Sequence, residues 1–395
     1  MIAQGNLMPV SPLFAFAGGG TGGHLYPAIA IADALRGRVP DARFIFFGTH
    51  RPIDQRILNR IDCEMVRQSL PALSPMPWRW PGIYLGLRRS ADLCRTCFED
   101  DPPAVVIGTG GMASVPAVRE AHSLGIPTAI LNPDALPGRA NRHLASMANV
   151  VFAQWEDTID HYPRGTDVRV VGCPVRQGFD FNGREAGIAR FGLQGDRKTL
   201  LVTGASQGAR SINEAVIANL DLFEAYPDWQ ILHLTGEKDH AETAAAYRDR
   251  SIAAVVIPYT DHMPDALSVA DLVISRAGAS TLAEITAVGR ASILMPYPYH
   301  RDQHQYANAK CLARVSAARI VRDGVNPEVN GPALRGALEE LMTQHVVREA
   351  MAAAARSMGR RAAASEVAEE LLRLRRVCGL SSAVGSVEAT CCQTR

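Results

Sequence analysis

The chain reads as an α/β protein made of two doubly wound domains, each a parallel sheet with helices on both faces. Three observations predict this. Short apolar runs of strand length alternate with segments of helix length. The alternation starts again near residue 199. Glycine-rich stretches at 18–23, 108–111, 204–208 and 278 all fall where a strand should end. Ligands of parallel sheets bind at the carboxyl ends of strands. Two Rossmann-like domains are therefore expected to face each other across one cleft, and 395 residues are ample for two cores.

Leu13-Phe14-Ala15-Phe16-Ala17 reads as a buried strand, and the run from Pro27 to Leu35 as a helix with proline in its first turn. Strands follow at 43–47, 104–107, 127–131 and 149–153, with helices between them. The stretch 168–176, holding Gly172 and Pro174, reads as a linker. Thr199–Thr203 then leads into Gly204-Ala-Ser206-Gln207-Gly208-Ala-Arg210 and a helix. Later strands are expected at 229–234, 253–257, 271–274 and 291–295. The Ala-, Leu-, Glu- and Arg-rich part from 333 to 376 reads as two helices. Beyond Cys378 no periodicity remains, and 378–395 is expected to be disordered.

The loop Gly18-Gly19-Gly20-Thr21-Gly22-Gly23-His24 joins the first strand to its helix. Glycines there let backbone approach a ligand, and unpaired N–H groups with the helix dipole favour an anion, phosphate above all. Gly18-x-Gly20-x-x-Gly23 formally fits the dinucleotide fingerprint. That fingerprint needs an acid at the end of the second strand for the ribose, and here that strand ends in Gly48-Thr49-His50. A P-loop needs Lys then Ser or Thr after its last glycine, and here stand His24 and Leu25. Both nucleotide classes are disfavoured.

A hydrophobic content of 47 % and a charged content of 21 % are those of a globular protein. The net charge of +1, without a basic tract, gives no nucleic-acid signal. Eight scattered cysteines, with Cys94-x-x-Cys97 lacking a second pair, read as free thiols. With no signal-peptide pattern at the start, the expected compartment is a reducing cytosol. No apolar run approaches the length of a membrane span.

Five motifs occur in order: Gly19-Gly-Thr-Gly-Gly-His24, Gly108-Thr-Gly-Gly111, Gly204-Ala-Ser-Gln-Gly-Ala-Arg210, Ser275-Arg-Ala-Gly-Ala-Ser-Thr-Leu-Ala-Glu284 and Asp302-Gln-His-Gln-Tyr-Ala-Asn308. From about Leu13 to about Val321 the chain resembles the MurG-type glycosyltransferases, the peptidoglycan enzymes that make lipid II. The resemblance implies a GT-B fold with the donor held mostly by the second domain. It implies inverting transfer of N-acetylglucosamine from UDP-GlcNAc to the 4-hydroxyl of the muramoyl sugar of lipid I, at the cytoplasmic face of the membrane. The expected division is 11–175 for the acceptor and membrane side and 176–350 for UDP-GlcNAc. A helix at 351–376 is expected to pack back on the first domain.

Each site residue has a bland alternative. Ser206, Gln207 and Gly208 should meet the UDP pyrophosphate by the helix-terminus argument, or only make a tight turn. Thr21, Gly22 and Gly23 are candidate UDP-GlcNAc contacts on the same argument. Glu284 can accept two ribose hydroxyls, the role the resemblance implies, or sit on a solvated helix face. Arg176 would meet uracil or phosphate, or make an interdomain salt bridge. His304 and Gln305 lie in a polar cluster suited to sugar hydroxyls. The resemblance assigns such contacts to Gln305, whereas the position of His304 varies among these enzymes. His24 either touches phosphate, removes the acceptor's proton, or caps the helix.

Two departures fall on the acceptor side. The family often has Glu-Gln-Asn before its Ala-Ile-Pro-Gly turn, whereas this chain has Asn132-Pro-Asp134-Ala-Leu-Pro-Gly138. Asp134, a second catalytic and UDP-GlcNAc-binding candidate, either orients or deprotonates the acceptor or makes the turn. Met112 stands where an aromatic residue is common. No cofactor and no metal are expected: Asp180-Phe-Asn182 only imitates an Asp-x-Asp pair, and backbone amides and helix dipoles would carry the leaving-group charge.

Residues 77–89 hold Trp78, Trp80, Tyr84, Arg88 and Arg89. Aromatic rings beside cations suit a lipid headgroup layer, and core packing with solvated arginines is the alternative. Other readings carried alongside are a transferase with another lipid acceptor, a UDP-GlcNAc 2-epimerase and a nucleotide-sugar binder without catalysis.

Overall fold

The computed structural model describes residues 11–70, 76, 80–179, 183–204, 208–299 and 302–391, with side chains described up to Val377. Trp78, the Asp180–Asn182 segment, Ser206 and Gln207 lie outside the described residues. Two compact units emerge. One takes the chain up to Pro133, Pro137–Pro174 and everything from Ala362 onward, and the other takes Asp134–Leu136 and Val175–Arg361.

The first unit is a parallel sheet of seven described strands: β1 (Leu13–Gly18), β2 (Arg43–Thr49), β3 (Glu64–Gln68), β4 (Val105–Gly110), β5 (Thr128–Asn132), β6 (Val150–Ala153) and β7 (Val168–Val170). Their order is β3-β2-β1-β4-β5-β6-β7, so the winding reverses between β1 and β4. The connecting helices are α1 (Gly22–Arg36), α2 (Pro52–Leu58), α3 (Trp80–Asp100), α4 (Ser114–Ser123) and α5 (Arg139–Leu144). Strand side chains alternate between faces. Phe14, Phe16, Phe44 and Phe46 therefore join one core with Leu25, Ile29 and Leu35 of α1. Leu13, Ala15, Ala17, Ile45 and Phe47 join the opposite core with Cys94 and Phe98 of α3. Burial on both faces is why these strands read as unbroken apolar runs.

The second unit is a parallel sheet of six described strands: β8 (Lys198–Thr203), β9 (Trp229–Leu234), β10 (Ala254–Ile257), β11 (Leu272–Ser275), β12 (Ser292–Leu294) and β13 (Arg319–Ile320). The order is β10-β9-β8-β11-β12-β13, with the switch between β8 and β11. Its helices are α6 (Arg184–Phe191), α7 (Arg210–Ile217), α8 (Leu220–Ala225), α9 (His240–Tyr247), α10 (Met263–Val269), α11 (Ala279–Val288), α12 (His304–Ala313), α13 (Pro327–Thr343) and α14 (His345–Met358). Leu200, Val202, Ile231 and Ile274 pack with Ile212 of α7, Leu334 and Leu338 of α13 and Met351 of α14.

The last helix, α15 (Ala363–Cys391), belongs to the first unit. Val367, Ala368 and Leu371 enter the core beside α1. Glu370 pairs with Arg169 at 2.7 Å.

Several expectations are corrected. Edge strands β3, β7 and β13 were not legible, and β7 lies in the stretch read as a linker. Edge strands carry few apolar residues, as Glu64-Met-Val-Arg-Gln68 shows. Three helices, not two, fill the C-terminal part, and α14 stays with the second unit past the expected boundary at 350. Helix α15 runs to Cys391; the segment holds no proline, and its small residues permit helix despite Gly379 and Gly385. Helix α1 starts at Gly22, so Pro27 sits in its second turn and leaves the Gly23 carbonyl without an i+4 donor.

Candidate functional site

In the first unit the loop after β1 is held from below. Gly20 takes φ +81°, a conformation that favours glycine. Its N–H donates to Asp54 Oδ1 at 2.8 Å and Oδ2 at 3.1 Å. The same carboxylate accepts from Thr49 N and Thr49 Oγ1, each at 2.8 Å. Arg51 donates to the Gly20 carbonyl at 3.0 Å. The amide of Gly20 is therefore already committed to Asp54, and Thr21 follows it as the N-cap of α1.

His24 lies in the first turn of α1. Its Nδ1 is 3.0 Å from the Gly19 carbonyl and 3.3 Å from Thr21 Oγ1. A carbonyl only accepts, so Nδ1 carries the proton and the neutral ring keeps its lone pair on Nε2. The ring rests on the loop after β4. A Cβ at Gly110 would come within 3.0 Å of His24 Cδ2 and 3.1 Å of Nε2, and one at Gly111 within 3.3 Å of Cε1. With φ of +112° and +74°, both positions need glycine twice over. The structure thus brings the first two glycine motifs together around one imidazole.

Asn132, at the end of β5, is buried and accepts from Asn141 Nδ2 at 2.9 Å. Asp134 belongs by its contacts to the second unit. It accepts from Asn308 Nδ2 at 2.8 Å, while Asn308 Oδ1 takes the N–H of Ala135 at 2.8 Å.

In the second unit Glu284 sits in the second turn of α11, with its side chain 13 % exposed. Burial pushes its carboxyl up to about 7, and Arg176 opposes this from 3.9 Å. The Arg176 guanidinium also lies over the Phe179 ring, 5.8 Å from its centroid. Arg176 and Glu284 are thus neighbours inside one unit rather than an interdomain pair. Gln305 Oε1 accepts two backbone N–H groups, Tyr297 at 2.9 Å and Ala277 at 3.2 Å. That fixes its orientation and turns the amide nitrogen, a donor, to other partners. His304 Nε2 lies 2.7 Å from Asp302 Oδ2. Gly208, at φ +75°, comes so close to the Thr235 carbonyl that a Cβ would collide with it.

Sequence reasoning missed two groups. One is Asp54, which reads as an ordinary first-turn helix acid. The other is the buried pair Arg276–Asp323 at 2.7 Å. Arg276 also donates to Ser211 Oγ at 2.8 Å and the Met295 carbonyl at 2.9 Å. Ser211 donates to Asp323 at 2.6 Å. The ion pair and its bonds thereby tie the start of α7 and the loop before α11 to the loop after β13, and the Met295 bond adds the loop after β12. Asp323 stands 47 residues from Arg276, and nothing in the sequence links them.

Two family models match the chain. The glycosyltransferase family 28 N-terminal domain matches residues 14–153, and the family 28 C-terminal domain matches residues 199–369. A relative from Thermodesulfovibrio yellowstonii is 36 % identical over 365 residues, covering 91 % of this chain and 99 % of its own. One from Sorangium cellulosum is 36 % identical over 371 residues, covering 91 % and 88 %. Both are named UDP-N-acetylglucosamine–N-acetylmuramyl-(pentapeptide) pyrophosphoryl-undecaprenol N-acetylglucosamine transferase. The crystal structure of Acinetobacter baumannii MurG is 25 % identical, with a TM-score of 0.71 over 92 % of this chain and all of that one. A UDP-GlcNAc 2-epimerase from Neisseria meningitidis, bound to UDP-GlcNAc, is 15 % identical with a TM-score of 0.63 over 92 % of this chain and all of its own; it shares the fold. The chain belongs to the MurG family of glycosyltransferases, within glycosyltransferase family 28.

Proposed function

We propose that this chain transfers N-acetylglucosamine from UDP-GlcNAc to the 4-hydroxyl of the muramoyl sugar of lipid I, with inversion, giving lipid II and UDP. The observation that carries the chemistry is the His24 ring, whose Nδ1 proton is committed to the Gly19 carbonyl. Nε2 takes the proton of the 4-hydroxyl. The alkoxide oxygen bonds to C1 of the donor sugar as the C1–O bond to the β-phosphate breaks, and the electron pair leaves with UDP. Ser206, Gln207 and the start of α7 meet the pyrophosphate and stabilise its added charge. Glu284 accepts the two ribose hydroxyls, and Arg176 beside it meets uracil or phosphate. Gln305 and His304 meet the sugar hydroxyls, with the Gln305 amide nitrogen as donor. Thr21, Gly22 and Gly23 complete the donor contacts. Asp134 orients the acceptor.

The same reading places the enzyme peripherally at the cytoplasmic face of the membrane. Among the described residues no helix is long and apolar enough to cross a bilayer. Trp80, Tyr84 and Arg88 lie at i, i+4 and i+8 on α3, one stripe of its surface. Trp80 is 58 % and Tyr84 65 % exposed, as headgroup contacts require.

The test is UDP release from UDP-GlcNAc with and without a soluble lipid I analogue, in EDTA. Release that depends on the analogue supports the transferase. Release of an epimerised sugar without any acceptor, or binding with no turnover, overturns it. Replacement of His24 by Ala that keeps full turnover removes the base.

A further inference from the structure

The Gly19 carbonyl that accepts the His24 proton and the Gly20 N–H that donates to Asp54 are the two sides of one peptide group. That group is planar and rigid. Its C=O faces the imidazole Nδ1 and its N–H faces the carboxylate. We propose that Asp54 is a positioning residue for the transfer reaction, acting on His24 through the Gly19–Gly20 peptide. This rests on the reading of His24 as the acceptor's base.

Asp54 is fully buried. Among the described residues no cationic side chain pairs with it. The carboxylate accepts from three donors, the Gly20 and Thr49 amides and the Thr49 hydroxyl, with the Gly20 N–H shared between its two oxygens. A charge placed so is expensive unless every donor is used. The arrangement does two things. It fixes the peptide plane, and so the ring plane and tautomer of His24. It also polarises the peptide, drawing positive charge to N–H and negative charge to C=O, which favours the imidazolium that forms when Nε2 takes the proton. A carboxylate orients a catalytic imidazole in the same sense where the two bond directly; here one amide is interposed. Gly19 is required for the contact, because a Cβ there would collide with Asp54 Oδ2. Arg51, between β2 and α2, donates to the Gly20 carbonyl and is the other charged side chain that reaches this loop.

The test is a double-mutant cycle with Asp54→Asn, His24→Ala and both together, measured as kcat and KM for the lipid I analogue. An asparagine has one accepting oxygen and no charge, so it cannot hold all three donors and no longer polarises the Gly19–Gly20 peptide. The expected result is a loss of roughly 10- to 100-fold, as for other partners that orient a reactive ligand, mainly in kcat. The acid limb of the kcat/KM profile should move to lower pH, because the imidazolium has lost its support. In the His24→Ala background the same substitution should cost nothing further. An equal loss in both backgrounds, an unmoved pH profile, or full activity of Asp54→Asn overturns the inference. Thermal unfolding checks that the variants fold. If Asp54→Asn does not, Asp54→Glu keeps the charge but displaces it, and its loss must likewise vanish without His24. Full turnover by His24→Ala would instead refute the base itself, so the two failures are distinct.

Discussion

Replacing Glu284 by Gln should make the protein more stable at alkaline pH while removing its grip on the donor. The carboxyl is pushed from an ordinary 4.5 to about 7, first by burial and against the pull of Arg176. A folded state that holds a proton more tightly than the unfolded chain is favoured at low pH. That stabilisation is complete below about pH 4.5 and declines until the carboxyl ionises near pH 7. The gap, at about 1.4 kcal/mol per pH unit, amounts to about 3.5 kcal/mol. At 13 % exposure, water screens little of it. Glutamine keeps the shape and never ionises. Urea unfolding should therefore show near-equal stabilities at pH 4 and a gain approaching about 3.5 kcal/mol for the variant at pH 8. Calorimetry with UDP-GlcNAc should show the reverse. Glutamine can still accept from one ribose hydroxyl but removes the charge from both bonds, at about 1 kcal/mol each, so binding should weaken by about one order of magnitude or more. Wild-type affinity should also fall as pH drops below about 7. A stability difference that does not change with pH, or a variant less stable at pH 8, would refute the assignment of a costly buried carboxylate.

Asp323→Ala should lose about 3–5 kcal/mol in urea unfolding, because Arg276 is left buried without its counter-ion. Burial raises the Asp323 carboxyl, but bonds from Ser211, Arg276, Val325 N and Asn330 outweigh it and hold the carboxyl below the ordinary range. Its stabilisation is thus present at neutral pH and lost as pH falls through that range. Gly110→Ala should cost about 1–3 kcal/mol of backbone strain and press on the His24 ring. Its turnover should fall well beyond that of Gly125→Ala, whose φ is +70° but whose Cβ meets open space. Trp80→Ser with Tyr84→Ser should leave the melting temperature unchanged and lower pelleting with anionic liposomes, and unchanged pelleting would remove α3 as the contact.

The central strands and their glycine loops were legible because burial on both faces demands continuous apolar sequence and a close backbone approach demands glycine. Three of the four edge strands were not, since an edge relaxes that demand; β10 was legible because Ala254–Ile257 is wholly apolar, whereas Val168–Val170 is a strand only through its pairing with β6. Motif order pointed to the residues proposed to touch substrate. It stopped at those that touch other residues. Asp54, 34 positions from Gly20, and Asp323, 47 from Arg276, are long-range partners whose role exists only after folding. A carboxylate at the start of a helix is so common a dipole partner that its sequence context could not mark Asp54 as special.

The carboxylate that stands at 134 instead of 132 follows from what each position touches. Asn132 is buried, and its amide oxygen already takes a hydrogen from Asn141. A glutamate there would place an ionised group among buried partners arranged for an amide, at several kcal/mol unless it found new donors. Position 134 is half-buried, and Asn308 offers it a donor at 2.8 Å while its other end holds the next residue's N–H. Asn308, itself buried, also donates to the Ala277 carbonyl at 3.2 Å, so it cannot turn its amide around without losing three bonds. The choice is a matched one. An acid at 308 would face Asp134 with like charge, and an amide at 134 would keep the bond but lose the charge that an acceptor hydroxyl or ammonium group would feel. The Asp134 carboxylate is therefore held in the turn by Asn308.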